Sequence, residues 1–172
     1  ILLPPFLEQP VAPEIDLTPL GENFVIKPSN GGGGEGVVLG VNTVDQILKA
    51  RMEFPEQKYL IQAHVKPCII NDMPTWFRIF YANGETHPCW WNTETHIYQN
   101  VTAADETQFG LSRLRDITKR IASICKLDWF STEIALADEF VVVDYVNDEI
   151  DTRVQSQAMD GVPDAIMECI AR

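Results

Sequence analysis

Apolar residues recur along this chain with two periods, and the switches between them mark its elements. Phe24-Val25-Ile26-Lys27-Pro28 and Val37-Val38-Leu39-Gly40-Val41 are short apolar runs of strand character, separated by a stretch of glycines. Thr43 then precedes Val44, Ile47, Leu48 and Arg51 at helical spacing, which predicts a capped helix to about Met52 that Pro55 stops. Residues 59–65 predict a buried strand with its exit at Lys66-Pro67. Beyond a turn at Asn71-Asp72, residues 75–82 and 85–92 read as a hairpin around Asn83-Gly84, a dipeptide that accepts the left-handed angles of a two-residue turn.

Farther on, Leu111, Leu114, Ile117, Ile121, Ile124 and Cys125 fall on one helical face, with most Arg and Lys residues opposite. Residues 129–136 and 140–145 predict a second strand pair across Asp138-Glu139, and their β-branched and aromatic content suits a central place in a sheet. An acidic, irregular stretch runs from Asn147 to Gly161, and Pro163 opens a short helix with Val162, Ile166 and Ile170 on one side. The sum is an α+β fold of mainly antiparallel strands and helices. It divides into a small lobe over 21–64 around the glycines and a larger lobe over 65–172. Residues 1–20 carry Pro4, Pro5, Pro10, Pro13 and Pro19 and start with Ile1 rather than Met. They read as a linker or extended packing strand that follows a further N-terminal domain.

With 172 residues and an apolar fraction of 45%, the chain can bury one core or two small ones. The net charge of −12 opposes nonspecific nucleic-acid binding and docking on anionic membranes, but admits a small anion whose charge a metal shares. Cys68, Cys89, Cys125 and Cys169 are far apart and form no C-x-x-C pair, so a disulfide scaffold is not expected. With no membrane-length apolar run and no signal-peptide pattern, the expected compartment is the cytoplasm.

Residues 31–36 place five glycines in six positions. Such a backbone can approach a ligand closely, at a large entropic cost on ordering, and its consecutive N–H groups can converge on a phosphate beside the charge of Lys27. The string satisfies G-x-G-x-x-G, yet a strand rather than a helix follows it, and no Gly-Lys-Ser/Thr is present. Two readings stay open: a flap hairpin that covers nucleotide phosphates, and a surface turn without a ligand.

A two-residue turn at Asp138-Glu139 pairs Ala137 with Phe140 and so sets Glu133 across from Asp144. Opposed carboxylates destabilise a sheet unless one is protonated or a cation lies between them. The small neighbours Ser131 and Ala135 leave room for Mg²⁺ or Mn²⁺, to which Asn147 could add a third oxygen. A register shifted by one residue would instead turn Asp144 away and leave solvated acids.

This order of features, from lysine-ended strand and glycine flap to an arginine-bearing strand and a paired acidic hairpin with a nearby Asn, resembles the ATP-grasp superfamily over about 21–153. The resemblance implies two α+β lobes with a nucleotide cleft between them, and ligation of a carboxylate to an amine, or to a similar nucleophile such as a thiol, through an acylphosphate. It gives Lys27 the α and β phosphates, and Gly31, Gly32, Gly33, Gly34 and Gly36 the flap. Gln62, Ala63, His64 and Val65 match the strand that reads adenine, with Gln62 and Val65 as its contacts. Arg78 in Trp76-Phe77-Arg78 matches the arginine at the terminal phosphate. Glu133, Asp144 and Asn147 match the metal ligands.

Four departures stand out. Ala63 and Trp76 occupy positions where acids are frequent, one extra residue separates Asp144 from Asn147, and the strand at Trp90-Trp91-Asn92 lacks a second basic residue. The implied cofactors are ATP and Mg²⁺ or Mn²⁺. The implied partners are small-molecule carboxylate and amine substrates, the chain's own N-terminal domain and, in a homodimer, a second copy. A nucleotide-binding or structural module that kept the fold and lost turnover is the alternative, favoured by Ala63 and Trp76.

Other residues carry blander readings. His64, Cys68, His87, Cys89 and His96 match no closed zinc pattern and read as packed strand residues. Trp76, Trp90, Trp91 and Trp129 read mainly as core, Arg113, Arg115, Lys119 and Arg120 as a solvated helix face, and no nucleophile with its own base is evident.

Overall fold

The structure, a computed structural model, describes residues 1–10, 15–30 and 33–171. The chain divides into two units, Ile1–His64 and Val65–Arg172.

The first unit is built on an antiparallel sheet in the order β1-β4-β2-β3, from β1 (Leu2–Leu3), β2 (Phe24–Pro28), β3 (Val38–Val41) and β4 (Tyr59–Ala63). Alternation puts Phe24, Ile26, Tyr59 and Ile61 on one face. There they bury with Leu3, Val41 and, from α1 (Val44–Arg51), Ile47 and Ala50. Thr43 caps α1 as its position predicts: its hydroxyl accepts the Gln46 N–H at 3.3 Å, and the Gln46 side chain accepts the Thr43 N–H at 3.1 Å. Between β2 and β3 the register shifts by one residue, and Gly40 lies beside the shift at φ +69°, a left-handed angle that suits a bulge.

The described part of residues 1–20 packs within this unit. Leu2 and Leu3 pair with Leu60 and Tyr59, the terminal amine donates to the Ile61 carbonyl at 2.7 Å, and Ile15, Leu17 and Leu20 pack against the core. Arg51 secures this arrangement. Its side chain is 0% exposed, its Nη2 donates to the Pro4 and Gln9 carbonyls at 2.9 Å each, and its guanidinium lies over the Phe6 ring at 5.6 Å. Val44, placed on the same inner side by spacing, is exposed.

The second unit holds a five-stranded antiparallel sheet in the order β11-β10-β7-β8-β9. Its strands are β7 (Trp76–Ala82), β8 (Glu85–Trp91), β9 (Tyr98–Asn100), β10 (Trp129–Leu136) and β11 (Phe140–Asn147), and a small ribbon of β5 (Ile69–Ile70) and β6 (Met73–Pro74) precedes them. Asn71-Asp72 and Asn83-Gly84 take positive φ at both residues, as two-residue hairpin turns require.

The helices are α2 (Ala103–Phe109), α3 (Arg113–Cys125) and α4 (Asp164–Ile170). One sheet face, carrying Phe77, Ile79, Trp90, Phe130 and Ile134, packs with Leu114, Ile117 and Ile121 of α3. Ile124 departs from the periodic reading and is 74% exposed. On the opposite face, Phe80, Cys89 and Tyr98 cluster with Ile150, Val162 and Ile166. No helix among the described residues is long and apolar enough to cross a membrane.

Arg51→Ala removes both carbonyl contacts and the Phe6 contact, so unfolding stability is expected to fall by about 3 kcal/mol. Urea titration measures the loss, and proteolysis should then nick residues 1–10 before the rest of the unit.

Candidate functional site

The hairpin of β10 and β11 differs from its sequence reading in two ways that cancel. Leu136, not Ala137, pairs with Phe140, so the turn has three residues, Ala137, Asp138 and Glu139, closed by the Ala137 N–H on the Glu139 carbonyl at 3.0 Å. Continued unchanged, that register would set Val143 across from Glu133. An irregularity between the Ile134–Val142 and Glu133–Asp144 pairs adds one residue on β11, and Asp144 returns to face Glu133. The buried Thr132 hydroxyl donates to the Asp144 carbonyl at 2.8 Å at this point.

A second irregularity pairs Asn147 with Ser131. Glu133 and Ser131 are two apart on β10 and share a face. The extra residue between Asp144 and Asn147 therefore does not separate them: both oppose the same face of β10.

The rung continues across the sheet as Asp144, Glu133, Arg78, Cys89 and Asn100. Arg78 Nη2 is ion-paired with Glu133 Oε1, and the guanidinium lies over the Trp91 ring at 4.5 Å. Burial works against the Arg78 charge, yet the Glu133 carboxylate and the Tyr98 hydroxyl hold its pKa above the ordinary value. Burial in turn raises the Tyr98 phenol, against the pull of Arg78. Cys89 beside it is buried, with its thiol pushed up to about 12, and is inert as a nucleophile.

Four buried polar atoms around this rung have no hydrogen-bond partner: Arg78 Nε, Trp91 Nε1, Ser131 Oγ and Asn147 Nδ2. A buried group left so costs about 1–3 kcal/mol, which a polar ligand on this face would offset. The oxygens of Glu133, Asp144, Ser131 and, after a half-turn of its amide, Asn147 are hard donors of the kind that Mg²⁺ or Mn²⁺ takes. Arg78 brings a planar fork suited to phosphate or carboxylate oxygens.

In the first unit, Lys27 pairs with Leu60 and Gln62 with Val25, so Lys27 and Gln62 share the sheet face opposite the core. Gly33, Gly34 and Gly36 lie in the connection between β2 and β3; Gly31 and Gly32 fall outside the described residues. At Gly36, φ is +70° and an added Cβ would come within 2.7 Å of Phe54 and Pro28, whereas Gly33 and Gly34 face open space. β4 ends at Ala63, so the strand predicted through Val65 is shorter, and Val65 opens the second unit outside any strand.

Sequence reasoning gave Ser131 only the role of leaving room and read Trp91 as core. Their positions two residues from Glu133 and from Cys89, the register partner of Arg78, are the signal for both. Tyr98 carried no signal, because its approach to Arg78 is fixed by the return of β9. Of the residues tried as a zinc set, His64, Cys68 and His96 are exposed and Cys89 is buried, and these do not gather among the described residues.

Among solved structures, D-alanine–D-alanine ligase from Bacillus anthracis complexed with ATP matches 99% of this chain and 57% of its own, with 16% identity and a TM-score of 0.68. D-cycloserine synthetase DcsG matches 99% of this chain and 62% of its own, at 12% identity and a TM-score of 0.60. The ATP-grasp ligase PsnB, complexed with minimal precursor, Mg and ADP, matches 91% and 48% at 15% identity, with a TM-score of 0.52. The chain thus has the ATP-grasp fold and spans about half to three-fifths of these structures' lengths. No family model and no curated protein matches it.

Glu133→Gln leaves the Arg78 charge half-buried without its carboxylate, and stability is expected to fall by about 2 kcal/mol. The double variant Arg78→Met/Glu133→Gln should recover part of that loss, which a double-mutant cycle in urea reads directly.

Proposed function

We propose that this chain is the ATP- and Mg²⁺-binding part of a ligase that joins a carboxylate to an amine through an acylphosphate. The observation that carries the reading is the rung of Arg78, Glu133 and Asp144 with Asn147 paired to Ser131, on a face with unpartnered polar atoms, within a fold found in ligases. Lys27 and the amides of Gly31, Gly32, Gly33, Gly34 and Gly36 receive the phosphates, and Gln62 and Val65 contact the base. Arg78, steadied by the Trp91 ring and Tyr98, aims its fork at the terminal phosphate oxygens. Glu133, Asp144 and Asn147 hold Mg²⁺ or Mn²⁺, which when bound supplies positive charge against the polyphosphate. The small-molecule carboxylate and amine, and a preceding N-terminal domain, are the partners in this reading.

A second reading, nucleotide binding without turnover, is favoured by Trp76. It stands two residues before Arg78 on the same face of β7, half-buried, where an acid would add a further hard oxygen.

Titration of ATP with and without Mg²⁺ tests the site. Metal-dependent binding is expected in the wild type, with Lys27→Ala and Asp144→Asn each weakening it by roughly tenfold or more, as loss of a charged contact does. ADP release on adding candidate carboxylates and amines supports the ligase; binding without release supports the second reading. Metal-independent binding, or none, sinks both.

A further inference from the structure

A separate set of side chains gathers at the turn end of β8. Glu85 and His87 are two residues apart on this strand and so share a face, and Cys169 comes from the last turn of α4. Ile166 of α4 packs with Phe80, and the Asn83 side-chain amide donates to the Cys169 carbonyl at 3.3 Å, which pins the helix end beside the β7–β8 turn. The three ligand atoms lie within 4.8 Å of one another: Cys169 Sγ is 3.6 Å from Glu85 Oε2, and His87 Nε2 is 3.7 Å from the same oxygen.

Those separations have a geometric meaning. Zinc bonds of about 2.0–2.3 Å in tetrahedral array put neighbouring ligand atoms roughly 3.3–3.6 Å apart. The two separations to Glu85 Oε2 therefore need adjustment of only a few tenths of an ångström, and the third, from Cys169 Sγ to His87 Nε2, lies within 4.8 Å. His87 Nε2 is buried with no hydrogen-bond partner. Burial holds His87 below its ordinary pKa, with Glu85 acting against it and Arg115 in the same sense. Cys169 is not in a disulfide, and the Glu85 side chain, 70% exposed, leaves the site open to solvent.

We propose that Glu85, His87 and Cys169 form a three-ligand site for Zn²⁺, with a fourth position open to water. A thiolate and an imidazole select a borderline-soft ion and discriminate against Mg²⁺, so this site is chemically distinct from the hard oxygens of Glu133, Asp144 and Asn147.

Co²⁺, which reports thiolate ligation by its absorption, is the probe. Titrated into the whole reduced, metal-stripped chain, it should give a thiolate-to-cobalt charge-transfer band that saturates at one equivalent. Zn²⁺ should displace it and excess Mg²⁺ should not. Cys169→Ser should abolish the band, Cys125→Ser should keep it, and His87→Gln and Glu85→Gln should each weaken binding by more than about tenfold. Because Glu85 is exposed at a turn, Glu85→Gln keeps the fold and decides the matter even if His87→Gln does not. No thiolate band at one equivalent, a band that survives Cys169→Ser, or wild-type affinity in Glu85→Gln overturns the site.

Discussion

A carboxylate facing another across a half-buried rung of sheet is costly unless one is protonated or positive charge stands beside it, and in the second unit Arg78 brings such a charge to Glu133. Its ion pair with Glu133 ties β7 to β10 on the side away from α3, and Trp91 and Tyr98 on the neighbouring strands hold the guanidinium in place. Taking such a pair out of water is close to neutral in net stability, while removing one member is costly. The pair is therefore better understood as fixing which groups stand together than as a source of stability. Around it stand Asp144, Ser131 and Asn147, whose positions follow from how β11 is bent against β10.

Much of this was legible from local chemistry. Asn83-Gly84 announces its turn because few other residues accept two successive left-handed angles, and Thr43 with Gln46 caps α1 through side chains three residues apart. What stayed hidden depends on partners distant in sequence. Residues 1–10 read from their prolines as a linker or an extended packing strand, and what holds them is distant in sequence: the pairing of Leu2 and Leu3 with β4 and the buried Arg51 side chain with its donors on Pro4 and Gln9. The β10–β11 hairpin is the instructive case. Its pairing of Glu133 with Asp144 was reached from a turn one residue too short, and the true structure arrives at the same pair through a three-residue turn and a bulge. No dipeptide rule reports that bulge, because it is associated with the Thr132 hydroxyl on the backbone of the next strand. Cys169 is legible still less: it is 82 positions from His87, and only the seating of α4 joins them.

The fold itself decides little about chemistry, since at 12–16% identity the likeness to ligases is one of backbone. What individualises the chain is the division of its five-stranded sheet. One face is apolar and carries α3; the other gathers ionisable groups in two sets of different hardness, oxygens along the Glu133 rung and a sulfur, an imidazole and a carboxylate near the β8 turn. Metal preference can then be partitioned by ligand type even where both sets lie on a single sheet surface.

The outer strand of the first unit's sheet, β3, leaves Val38 and Leu39 exposed, Leu39 at 67%. An apolar border of this sort invites another molecule to add a strand, the route to fibrils. The irregularity at Gly40 breaks the straight ladder of donors and acceptors after only a few residues. An incoming strand could not stay in phase along it, and so the same left-handed glycine that lets β3 close onto β2 also guards the molecule against self-templating.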